Sequence, residues 1–150
     1  MPAHTPQPPI ERHSTREHVL GVSVERFLRE YWQKHPLLVR GAFADFTSPI
    51  TPDELAGLSC EEGTFGRLIV HQAENDHWDV RTGPFPESVF SELPERDWTL
   101  LVQDVDKWDE GVAALLAHFD FLPSLRIDDI MVSFAAPGGS VGAHIDQYDV

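Results

Sequence analysis

The spacing of apolar residues changes period several times along these 150 residues, and no fold built from one kind of element accommodates that. Val24, Phe27, Leu28, Tyr31 and Trp32 recur at helical spacing behind Ser23, a good N-cap, and His35-Pro36 ends the pattern. Leu37 to Arg40 predicts a short buried strand stopping at Gly41. A second helix is predicted from Thr51 as N-cap, Pro52 at the first helical position and Glu54 closing a capping box. Strand-like runs follow at Arg67 to Gln72, Trp78 to Arg81 and Trp98 to Asp104, separated by turn-forming pairs such as Asn75-Asp76 and Gly83-Pro84. Between Asp109 and Phe121, helical spacing returns in Val112, Leu115, Leu116 and Phe119, and Pro123 closes it. Ile130, Val132 and Phe134 then alternate as one face of a strand, Pro137-Gly138-Gly139 turns the chain, and Val141 to Val150 alternates again. The expected fold class is therefore mixed α/β, of the α+β kind.

With 41% apolar and 10% aromatic residues the chain can bury one sizeable core, so a single domain is expected from residue 23 to 150. Residues 1–22 lack the continuous apolar stretch of a secretory signal, and their prolines resist both helix and ladder pairing, so they are read as a mobile tail. A formal charge of −14 would repel a phosphate backbone, which argues against direct nucleic-acid binding and favours a basic protein or a cation as partner. The lone Cys60 cannot form an internal disulfide, and Glu61 and Glu62 beside it disfavour a thiolate nucleophile. No apolar run approaches the roughly 18 residues that cross a bilayer. A soluble, cytoplasmic protein is expected.

His144-Ile145-Asp146 is the triplet that could carry chemistry. On an extended strand residues i and i+2 share a face, so an imidazole and a carboxylate could reach one metal. A second imidazole from elsewhere would complete the facial triad of non-haem Fe(II) enzymes. The bland alternative is an exposed His and Asp on an edge strand. Gly138-Gly139-Ser140-Val141-Gly142 matches G-x-S-x-G, but a nucleophile elbow needs a helix immediately after it, and the sequence there is strand-like. His71 and His77 read as exposed hairpin residues, and Trp32, Trp98 and Trp108 as core.

The run from Ile127 to Val150, with Pro137-Gly138-Gly139 and His144-Ile145-Asp146-Gln147-Tyr148-Asp149-Val150, resembles the bacterial ribosomal oxygenases of the JmjC/cupin type. The similarity extends to Phe27-Leu28-Arg29-Glu30-Tyr31-Trp32-Gln33-Lys34-His35-Pro36, to Pro52-Asp53-Glu54-Leu55-Ala56-Gly57-Leu58 and to Trp98-Thr99-Leu100-Leu101-Val102-Gln103. The resemblance implies that helices and strands lead into a double-stranded β-helix whose barrel is incomplete in this chain. It implies an Fe(II)- and 2-oxoglutarate-dependent dioxygenase that hydroxylates a side chain, expected to be arginine, of a basic large-subunit ribosomal protein. His144 and Asp146 carry over as iron ligands, and Asp149 is expected behind them. The second ligand His and the basic residue that salt-bridges 2-oxoglutarate would lie beyond Val150, so no further catalytic or cofactor-binding residue is assigned. Dioxygen is the other co-substrate, and a homodimer is implied for the full-length protein. The acidic Glu92, Glu95, Asp97, Asp104, Asp106, Asp109 and Glu110 would suit a basic substrate. Residues 1–150 alone are expected to be inert, because the last strand would be an unpaired edge. The alternative readings are a non-catalytic cupin-like module that binds a metal or peptide, or a gene fragment with no function of its own.

Overall fold

The computed structural model of the chain describes residues 9–147, among which four α-helices, three short 3-10 turns and six strands alternate. The chain divides into two compact units, residues 1–47 with 146–150, and residues 48–145.

In the smaller unit, strand β1 (Glu11–His13) precedes helix α1 (Val24–Glu30) and strand β2 (Leu38–Arg40). The Ser23 hydroxyl accepts from the Arg26 N–H at 3.3 Å, and an Arg26–Glu30 ion pair at 2.8 Å ties successive turns of α1. β1 and β2 pair in parallel, Arg12 opposite Val39. Residues 11–13 are thus paired where a mobile tail was expected. Glu-Arg-His shows no apolar alternation, and the strand exists because a segment 27 positions away in sequence takes up its backbone groups. Tyr31 anchors the same region: its buried hydroxyl donates to the Pro9 carbonyl at 3.0 Å and accepts from Arg12 Nε at 3.4 Å. β2 is also less buried than expected, with Leu38 and Arg40 exposed and only Val39 half-buried.

The larger unit contains helix α2 (Pro52–Leu58), strands β3 (Phe65–Gln72) and β4 (His77–Thr82), helix α3 (Ser88–Ser91), strand β5 (Trp98–Gln103), helix α4 (Glu110–Ala114) and strand β6 (Val132–Ala135). The four strands form an antiparallel sheet in the order β4-β3-β5-β6. In the observed register Leu68 lies opposite Leu100, and Leu100 opposite Phe134. One face of the sheet therefore presents Leu68, Leu100, Val102, Val132 and Phe134, which pack with Ile50, Leu55, Phe85, Val105 and Val112 into the core. α2 begins as its sequence predicts, with Thr51 and Glu54 in a reciprocal capping box, and it lays the buried Leu55 on that core.

The predicted helix between Asp109 and Phe121 is shorter. After Asp109 caps α4, the chain tightens into a 3-10 turn from Leu115 to Phe119, and only Val112 of the apolar stripe is fully buried. α3 had no sequence signal, being a single turn. The sheet is open: no closed barrel is formed among the described residues.

Candidate functional site

The segment that carries His144 leaves β6 and is held against the sheet by backbone bonds. Ala136 N–H donates to the Trp98 carbonyl at 3.0 Å and Asp97 N–H to the Pro137 carbonyl at 2.9 Å. The turn closes with Gly139 N–H on the Ala136 carbonyl at 2.7 Å. Gly139 lies so close to β5 that a Cβ there would run into the Trp98 carbonyl oxygen. Beyond the turn, Gly142 takes a left-handed φ of +73° and donates to Ser140 Oγ at 3.0 Å.

Gly142 also orients the candidate ligand, its carbonyl lying 3.0 Å from His144 Nδ1. A carbonyl only accepts, so His144 Nδ1 carries a proton, and Nε2 is the nitrogen through which the ring would bind a metal. His144 and Asp146 are both exposed, and they are assigned to different units, His144 to the larger and Asp146 to the smaller. Residues 141–147 pair with no strand among the described residues, which corrects the expectation of an alternating strand. Gly142, in left-handed backbone, interrupts the extended run two residues before His144. Among the described residues no three His, Cys, Asp or Glu side chains converge to hold a metal ion. Tyr148, Asp149 and Val150 lie outside the described residues.

The other candidates resolve as structural. No helix follows Ser140 among the described residues, so a nucleophile elbow is absent there. His71 Nε2 donates to Asp76 Oδ1 at 3.0 Å and its ring stacks on Trp78, centroids 4.1 Å apart, a pairing that register alone brings about because the two are cross-strand partners. Trp98 and Trp32 are half-buried, whereas Trp108 is 49% exposed and is not core. Burial is the first cause that pushes the Cys60 thiol up, followed by the charge of Glu87 and then Glu61. Glu87, from a different part of the chain, acts where Glu62 was expected to.

Several carboxylates of the acidic group are engaged by the fold itself. Asp106 Oδ1 accepts from Ile130 N–H at 2.7 Å, Asp109 Oδ1 from Val112 N–H at 2.7 Å, and Asp104 pairs with Lys107. No pattern in the sequence singles out Asp129, whose Oδ2 accepts from Asp104 N–H at 2.6 Å. Nor does any pattern mark Arg67 Nε and Thr99 Oγ1, two buried polar atoms that find no hydrogen-bond partner among the described residues.

The last strand of the open sheet and the H-x-D segment that follows it lie within residues 114–150, which match the family model described as the JmjC domain. More particularly, the chain is 47% identical over 134 residues to the ribosomal protein uL16 3-hydroxylase of Escherichia coli, covering 89% of this chain and 35% of that protein. It is 40% identical over 129 residues to a Haemophilus influenzae protein called "Probable ribosomal oxygenase", covering 86% of this chain and 31% of the relative. In structure it is similar to YcfD, a ribosomal oxygenase from Escherichia coli solved with cobalt and 2-oxoglutarate, at a TM-score of 0.78 and 46% identity over 85% of this chain and 34% of that one. In sequence and in fold the chain is thus similar to part of each of these proteins, and it spans about a third of their length.

Proposed function

We propose that the protein carrying this sequence is an Fe(II)- and 2-oxoglutarate-dependent dioxygenase that hydroxylates a side chain, arginine in particular, of a large-subunit ribosomal protein in the cytoplasm. The observation that carries this reading is the 47% identity across 89% of the chain to a ribosomal protein hydroxylase. His144 and Asp146, an imidazole and a carboxylate two residues apart, would supply two of the three donors of a facial triad. With 2-oxoglutarate and dioxygen, iron held there supplies the oxidant that an unactivated C–H bond requires.

The chain's own contribution is positioning. His144 would hold the metal through Nε2 while the Gly142 carbonyl accepts from its Nδ1–H and orients the ring. Asp146 adds one negative charge, which offsets part of the metal's two positive charges. The charge of −14 draws in a basic substrate segment by long-range attraction, an effect that weakens as salt rises. In the full-length protein, Fe(II), 2-oxoglutarate and an arginine-containing peptide of the large-subunit protein are expected to give peptide-dependent succinate and one added oxygen on the peptide by mass spectrometry. His144→Ala and Asp146→Ala should each abolish both signals, and residues 1–150 by themselves should give neither. Folded, iron-loaded protein that releases no succinate with any ribosomal peptide would replace this reading with a metal- or peptide-binding module.

A further inference from the structure

The loop that carries His144 rests on a side chain from the far edge of the sheet. A Cβ placed on Gly142 would lie 3.6, 3.7 and 3.8 Å from Cη2, Cζ2 and Cζ3 of Trp78, so the glycine sits over the edge of the indole. Trp78 is held in turn by His71, whose ring lies nearly parallel to it at an interplanar angle of 18° and a centroid separation of 4.1 Å. The His71 imidazole is fixed at its other side by Asp76, and its backbone N–H donates to the Asp97 carbonyl at 2.8 Å. Asp97 N–H is the group that holds the Pro137 carbonyl at the start of the same loop. The β3–β4 hairpin therefore meets the His144 loop at two points, through the indole at Gly142 and through Asp97 at Pro137.

We propose that Trp78, braced by its stack on His71, is a positioning residue for His144: the indole supports the left-handed Gly142, whose carbonyl orients the imidazole. This rests on the reading of His144 as a metal ligand. Gly142 touches both ends of the chain of contacts, with its backbone on the His144 Nδ1–H and its open side on the ring. Left-handed backbone is readily reached by glycine but is not enforced by it, so without the ring the loop has other conformations available and His144 loses a defined direction. A flat ring is the required feature, because a branched aliphatic side chain fills volume without presenting a surface of that breadth.

The test uses the full-length protein loaded with Co(II), whose visible absorption reports the ligand set independently of turnover. Trp78→Leu, Trp78→Phe and His144→Ala are compared with wild type by Co(II) titration, Co(II) spectrum and thermal melting. The expected results are that His144→Ala removes Co(II) binding, that Trp78→Leu weakens it by about 10- to 100-fold with an altered spectrum while melting cooperatively, and that Trp78→Phe recovers most of both. If His144→Ala binds Co(II) as wild type does, the ligand assignment fails and the proposal falls with it. If His144→Ala loses Co(II) but Trp78→Leu keeps wild-type affinity and spectrum, only a lower melting temperature remaining, the assignment stands and Trp78 is packing alone. Should Trp78→Leu fail to melt cooperatively, Trp78→Phe decides: wild-type melting, affinity and spectrum support the flat-ring account, and wild-type melting with lost affinity overturns it.

Discussion

Thr51 and Glu54 show how far a single pair of residues can be read in advance. The Thr51 hydroxyl accepts from Glu54 N–H at 3.3 Å, and the Glu54 carboxylate accepts from Thr51 N–H at 2.8 Å. The Thr51 N–H first, and then the Thr51 hydroxyl donating to Glu54 Oε2 at 2.7 Å, hold the Glu54 carboxyl below the usual glutamate range. A lowered folded-state pKa means a contribution that is present above the unfolded carboxyl range and is lost as the pH falls through the folded value. Urea midpoints of wild type and Glu54→Gln should accordingly differ at pH 7 and converge at acid pH. Thr51→Ala should cost about 1 kcal/mol at pH 7. Cys60 marks the boundary of such reading: that its thiol is raised was foreseeable from its neighbours, but the leading causes, burial and Glu87, arise from packing.

At the scale of elements, two glycines of opposite meaning separate a required turn from a tolerant helix. Gly139 sits against the Trp98 and Ala136 carbonyl oxygens, which are backbone and cannot swing aside, so Gly139→Ala should destabilise by roughly 1–3 kcal/mol. Gly57 lies exposed within α2 with nothing within 4 Å of where an alanine methyl would stand, and Gly57→Ala should stabilise by about 0.5–1 kcal/mol. Chemical denaturation of both variants checks the signs, and equal signs would contradict this account of the turn. α2 and the β3–β4 hairpin were legible because their caps and alternation are local. β1 was not, since three polar residues become a strand only through a partner far along the chain.

For the molecule as a whole, stability in the larger unit rests on the face of the sheet that carries Leu68, Leu100 and Val102, none more than 1% exposed. Leu68→Ala, on a central strand, should cost about 2–5 kcal/mol, measurable as a lowered denaturation midpoint. An effect below about 1 kcal/mol would mean that the site collapses around the lost methyls rather than leaving a cavity. The opposite face buries Ile69, Thr99 and Leu101 at its middle and leaves Phe65 and Val80 exposed. Among the described residues no helix is long and apolar enough to cross a membrane.

Mixed helix-and-strand class, most element positions and the H-x-D triplet were written in the sequence, because periodicity, N-caps and turn residues act over a few positions. The resemblance to ribosomal oxygenases was legible for the same reason, being carried by short motifs in order. Only the tertiary structure decided that residues 11–13 pair, that acidic Asp106 and Asp129 tie loops together, and that His144 leaves a left-handed glycine rather than a strand. It alone placed Trp78 beneath Gly142, two residues 64 positions apart that meet because strand register and a glycine turn bring their segments together. Local rules specify which elements form; which side chains then touch is a property of how those elements pair.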